Sequence, residues 1–120
     1  MRTKQYDKAL KEVRRLCLRL PEACEVEAWG HPTFRAGKKM FAAFGEEDGR
    51  LSLGMKVGFD RQDKLLNDRR FFPTPYAARQ GWVSLTINNS TDWTEVEGLL
   101  REAYRQVALK RMLQALDAQE

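Results

Sequence analysis

The sequence predicts a single α+β domain in which a twisted antiparallel sheet carries an N-terminal and a C-terminal helix on one face. Three observations predict it. Both ends of the chain repeat apolar residues at the three-to-four spacing of a one-sided helix. The middle alternates with the period of two that belongs to strands. Glycine and proline punctuate that middle at short intervals. The 120 residues fit one domain spanning 1–120, long enough to bury a core without staples.

The first helix is predicted over residues 3–19. Tyr6, Ala9, Leu10, Val13, Leu16, Cys17 and Leu20 make its apolar face, and Lys4, Lys8, Lys11, Arg15 and Arg19 its polar face. Pro21 ends it, because the residue before proline is pushed out of the α region. A strand follows from Cys24 to Trp29, with Cys24, Val26 and Ala28 on one side, and Gly30-His31-Pro32 is expected to turn the chain. Thr33–Ala36 and Lys39–Phe44 flank Gly37-Lys38 as a hairpin, with glycine available for a positive φ. Glu46-Glu47-Asp48-Gly49 is the next turn, and Leu51, Leu53, Met55 and Val57 alternate as a strand with one buried face.

The period changes between Asp60 and Asp68, where Asp60 is expected to cap a short helix buried through Leu65 and Leu66. Phe71–Tyr76 is expected to be irregular, because two prolines in three residues remove donors and fix φ. Trp82–Ile87 is the last strand and Asn88–Thr91 a polar turn. Asp92-Trp93-Thr94-Glu95 has capping-box spacing. Behind it Trp93, Val96, Leu99, Leu100, Ala103, Tyr104, Val107, Ala108 and Met112 form one stripe, predicting an unbroken helix to about residue 117.

Composition excludes several classes. No apolar run approaches the roughly 20 residues of a membrane helix, and no apolar segment follows the N-terminus, so a cytoplasmic protein without a signal peptide is expected. Two cysteines make no disulfide framework, and one histidine with no CxxC makes no zinc site, so no metal or cofactor is expected. The net charge of +4 is strongly segmented. Residues 1–19 carry seven cations and two acids, residues 20–29 three acids and no cation, and residues 30–45 three cations and no acid. Such a balance permits nucleic-acid binding and equally suits an ordinary solvated surface.

Several motifs in order resemble one family across nearly the whole chain. They are Glu27-Ala28-Trp29-Gly30-His31-Pro32-Thr33-Phe34-Arg35, Lys39-Met40-Phe41-Ala42, Pro75-Tyr76, Gly81-Trp82-Val83-Ser84-Leu85 and Leu99-Leu100-Arg101-Glu102-Ala103-Tyr104. The chain resembles the MmcQ/YjbR-like proteins, a bacterial-type family described as having a double-wing DNA-binding motif on a fold related to the frataxin/CyaY type. It departs from that pattern at Ala103, where a serine usually precedes the tyrosine. The resemblance implies a CyaY-like α+β fold and a DNA partner. An iron role by analogy with frataxin is disfavoured, since the acidic first helix it needs is here basic, with Asp7 and Glu12 its acids.

The residues themselves point away from catalysis. No GxSxG, GxxxxGK[ST] or HExxH occurs, and neighbouring carboxylates occur only in the Glu46-Glu47-Asp48 turn. No catalytic residue is assigned and no enzyme is expected. The expected nucleic-acid contacts are Arg35, Lys38 and Lys39 on the hairpin wing, with Lys56 and Arg79. The same hairpin also reads as an edge protected by charge. The alternative is an adaptor or anion-binding domain, monomeric by default. In it Trp29, His31 and Phe34 would frame an aromatic cleft for an anionic small molecule with Tyr76 and Trp82. His31 reads either as a structural turn residue or as a phosphate contact.

Overall fold

Thr3 caps the first helix, its hydroxyl accepting from Tyr6 N at 3.0 Å. The computed structural model describes residues 3–119. Helix α1 (Lys4–Leu18) buries the predicted stripe and ends before Pro21. Strands β1 (Ala23–Ala28), β2 (His31–Ala36), β3 (Lys39–Glu47) and β4 (Arg50–Lys56) form an antiparallel meander. Helix α2 (Phe59–Leu65), β5 (Phe71–Pro73), a 3-10 turn at Ala78–Gln80 and β6 (Trp82–Ile87) follow. Helices α3 (Trp93–Val107) and α4 (Lys110–Gln119) close the chain. The sheet has six strands in the order β1-β2-β3-β4-β6-β5. This is the α+β architecture that the periodicities predict.

One face of the sheet holds the core. Phe34, Ala42, Phe44, Leu53, Met55, Val83 and Leu85 point into a single cluster, which α1, α2, α3 and α4 all enter from the same side. Tyr6 of α1 meets Phe44 edge-on at 5.2 Å, and Tyr104 of α3 meets Phe41 edge-on at 5.6 Å. Phe41 and Ala42 are adjacent yet both fully buried. The register explains it: Phe34 pairs with Ala42 and Arg35 with Met40, leaving Phe41 as the extra residue of a bulge, turned inward. Among the described residues, no helix packs on the other face.

Four expectations are corrected. The first turn is Trp29-Gly30, with φ of 50° and 79°, while His31 and Pro32 belong to β2. Two consecutive positive φ values make the type I′ turn that suits a two-residue hairpin loop. Cys24, Val26 and Ala28 share one side of β1 as expected, and it is the helix-free side, where Cys24 and Val26 are exposed. Glu25 takes the other side, bound by Arg14 of α1 at 2.7 Å. Asp60 does not cap α2, whose N-cap is Gly58 without a side-chain hydrogen bond.

Phe71–Pro73 is regular after all. Pro73 needs no ladder donor on the outer edge, so β5 pairs with β6 as an edge strand. The last helix is broken at Ala108, whose ψ of 146° is extended. No proline causes this. A straight continuation would carry Met112 and Leu116 along the α3 axis, whereas the break lets α4 return and bury both completely. Arg111–Glu22 at 2.8 Å and Arg105–Asp117 at 2.8 Å fasten the return.

Candidate nucleic-acid interface

Antiparallel order decides where the basic residues gather. The β2–β3 turn, the end of β4 and the start of β6 all lie at one end of the sheet. Lys38 and Lys39 sit in and beside that turn, Arg35 pairs with Met40 just inside it, and Lys56 pairs with Trp82 two strands away. Arg79 belongs to the 3-10 turn directly before β6. The Gly81 carbonyl accepts from Val57 N and Gly58 N, both at 3.1 Å, which ties that turn to the end of β4. A Cβ at Gly81 would stand 3.1 Å from Gly58 Cα, and both residues have positive φ, so only glycine permits this backbone approach. All five cations expected to touch a nucleic acid therefore share one end of the molecule.

Their electrostatic state differs from that of the paired arginines. Arg14, Arg15, Arg19, Arg61, Arg70, Arg105 and Arg111 are each held by a carboxylate. Among the described residues, none of Arg35, Lys38, Lys39, Lys56 and Arg79 has such a partner. Arg35 is half-buried, and its Nε is enclosed without a hydrogen-bond partner. A guanidinium N–H held this way gains from any anion that reaches it.

The helix-free face rises from this basic end. Its middle row pairs Val26 with Thr33, Thr33 with Ala43, Ala43 with Gly54, Gly54 with Ser84 and Ser84 with Phe72. Thr33 Oγ1 donates to the Val26 carbonyl, and Thr74 Oγ1 lies 2.8 Å from Ser84 Oγ. Further along, Gly45 pairs with Ser52. A Cβ at Gly45 would lie 3.9 Å from His31 Nδ1, so the histidine ring lies over that glycine. Residue-type reasoning missed this floor of small side chains, although Ala43/Gly45, Ser52/Gly54 and Ser84/Thr86 alternate visibly in the sequence.

The aromatic residues do not form one cleft. Trp29 and His31 lie at the far end of β2 from Arg35, on the β1 side, while Tyr76 follows β5 at the opposite edge. Phe34 is wholly buried among the helices, out of reach of a ligand. Trp82 is 6 % exposed and lies against Gly54. Clefts of about 50 and 150 Å³ lie elsewhere, between α1 and α3 and around Arg70, Asn88 and Glu95.

Other reactive groups are quiet. Cys17 is buried, and desolvation pushes its thiol far above the usual range. Among the described residues no group of three His, Cys, Asp or Glu side chains is arranged to hold a metal, and no described helix is long and apolar enough to cross a membrane.

The YjbR family model matches residues 18–106, from the end of α1 almost to the end of α3. The chain belongs to the YjbR family. No curated protein matches it. Two solved structures resemble this YjbR-family chain. Protein DR2400 of Deinococcus radiodurans, which carries a DUF419 domain, superposes with a TM-score of 0.71 at 22 % identity, covering 90 % of this chain and 87 % of that one. A protein from Pseudomonas syringae superposes with a TM-score of 0.61 at 15 % identity, covering 89 % and 99 %. At these identities the likeness is one of fold.

Proposed function

We propose that this YjbR-family chain is a small, non-enzymatic DNA-binding protein that holds the phosphate backbone through its basic sheet end. The observation that carries the reading is the gathering, at one end of the sheet, of five cations without a carboxylate partner among the described residues. Unpaired cations keep their full attraction for phosphates, and no internal ion pair has to break before DNA binds. Backbone contact through a wing positions a protein without reading sequence, so little sequence preference is expected. Family membership is consistent with this reading.

The test is a mobility-shift titration on duplex DNA at low salt, repeated as salt rises. Affinity should fall with a log–log slope of about 0.9 per neutralised phosphate. The double substitution Lys38→Glu and Lys39→Glu should abolish the shift. Absence of any shift at low salt, or a double variant that binds as the parent does, would sink the proposal.

A further inference from the structure

Two aromatic side chains occupy positions that folding alone does not explain. Trp29 is 92 % exposed at φ 50°, and Tyr76 is fully exposed at φ 65°. A left-handed backbone is costly for a bulky residue, about 1–2 kcal/mol. An exposed ring regains nothing by burial. Each position is therefore doubly unfavourable, and both are firmly held. Trp29 is fixed by the Ala28–His31 pair across its two-residue turn. Tyr76 lies inside a turn whose Thr74 carbonyl accepts from Ala77 N and Ala78 N at 3.2 and 3.0 Å.

Both lie in turns that adjoin residues of the helix-free face. Thr74 is bonded to Ser84 on that face, and its Cγ2 would lie 3.6 Å from a Cβ on Gly54, so the chain carrying Tyr76 crosses onto it. At the other corner His31, two residues from Trp29, lays its ring over Gly45. Strand spacing and rise put the two corners roughly 25 Å apart. Between them run the short side chains of Thr33, Ala43, Gly54 and Ser84, bordered on one side by Arg35 and Lys56. The register turns one acidic strand residue, Glu47, toward this face, and it pairs at the far end with Arg50.

We propose that this face is a platform for single-stranded DNA: Trp29 and Tyr76 stack on unpaired bases at its two corners, and Arg35 and Lys56 hold phosphates between them. The inference rests on the DNA-binding reading and narrows its partner. A duplex keeps its bases stacked inside and offers these rings nothing, whereas a single strand can splay a base onto each. A flat, cationic, small-residue floor flanked by aromatic rings is the chemistry that binds single strands with little sequence preference.

Fluorescence anisotropy tests it, using labelled oligo(dT) of about 12 nucleotides, within the roughly 4–16-nucleotide range of single-strand sites, against a duplex of equal length. At equal salt the single strand should bind about tenfold tighter or more. Trp29→Asn and Tyr76→Asn each put a residue that tolerates the left-handed region in place of a strained ring. Each should weaken single-strand binding about 5- to 100-fold, leave duplex binding and the salt slope unchanged, and not lower the thermal midpoint. Arg35→Ala and Lys56→Ala should instead each reduce the single-strand salt slope by about 0.7. Equal affinity for single strand and duplex, or Asn variants that bind as the parent does, overturns the platform while leaving backbone binding intact. Failure to bind either form removes both.

Discussion

Tyr104 shows how one side chain joins distant parts of the fold. It is fully buried, packs edge-on against Phe41, and its hydroxyl donates to the Pro21 carbonyl at 2.6 Å. Burial pushes its phenol upward, so it remains a donor through neutral pH. Tyr104→Phe should therefore cost about 1–2 kcal/mol in urea unfolding, because the Pro21 carbonyl, in the turn between α1 and β1, loses its partner. An unchanged midpoint would show that water replaces the hydroxyl. The neighbouring Ala103 is fully buried, so the residue that departs from the family pattern fills the core.

At the same scale, Arg70 binds both Asp68 and Glu95 at 2.7 Å and lies 5.4 Å from the Phe71 ring centroid. Its hydrogen bonds hold the Asp68 carboxyl down at about 2, from 3.8. A depressed carboxylate contributes stability above its unfolded value of 3.8 and loses it as pH falls through about 2. A carboxyl-detected NMR titration should place Asp68 near that lower value, and Arg70→Gln should return it toward 3.8. Titration of the parent near 3.8 would mean the pair does not persist in solution. The sequence did not reveal this clasp. Asp92-x-x-Glu95 reads as a capping box, and Asp92 does accept from Thr94 N and Glu95 N, but the Glu95 carboxylate is taken by Arg70.

Among the elements, those with strong periodicity were legible and those shaped by tertiary demand were not. The six apolar positions of α1 and the alternation of β4 and β6 name their buried faces directly. Strand β5 was hidden because Pro73 counts against a strand anywhere but an outer edge, and edge status is not written locally. The break before α4 was hidden because the apolar stripe runs through it without a proline. The family match ends at residue 106, yet the returning helix is part of the core. Leu116→Ala should cost about 2–5 kcal/mol, as deletion from a closed core does, while Gln114→Ala on the exposed side should cost almost nothing. Equal, small effects from both would mean that α4 is not packed in solution.

Over the whole molecule, charge is sorted by role. Several arginine–carboxylate pairs tie elements together: Arg14 joins α1 to β1, Arg19 joins α1 to α3, and Arg61 joins α2 to α3. Among the described residues, the five cations at the sheet end have no such partner. Reversal of Lys38 and Lys39 should therefore remove DNA binding while leaving the thermal midpoint nearly unchanged, since it disturbs no pair and no core contact. A large fall in that midpoint would assign these lysines to the fold instead. The candidate cations were legible because acid-free segments show in the sequence. Their convergence was not, because it depends on how antiparallel strands alternate ends. For the same reason the Trp29–Phe41 stretch, which reads as one cluster, is divided by the length of β2 into two opposite ends.

The small-residue floor has a thermodynamic consequence. Thr33, Ala43, Gly45, Ser52, Gly54 and Ser84 have little rotamer freedom, so a partner laid across them freezes almost no side-chain motion. The entropy lost on contact falls on the ligand and on the few long side chains at the margin. Binding on such a surface is governed by how easily the partner straightens, and a flexible chain that can sample the shape of the floor has the advantage over one that must be bent to meet it.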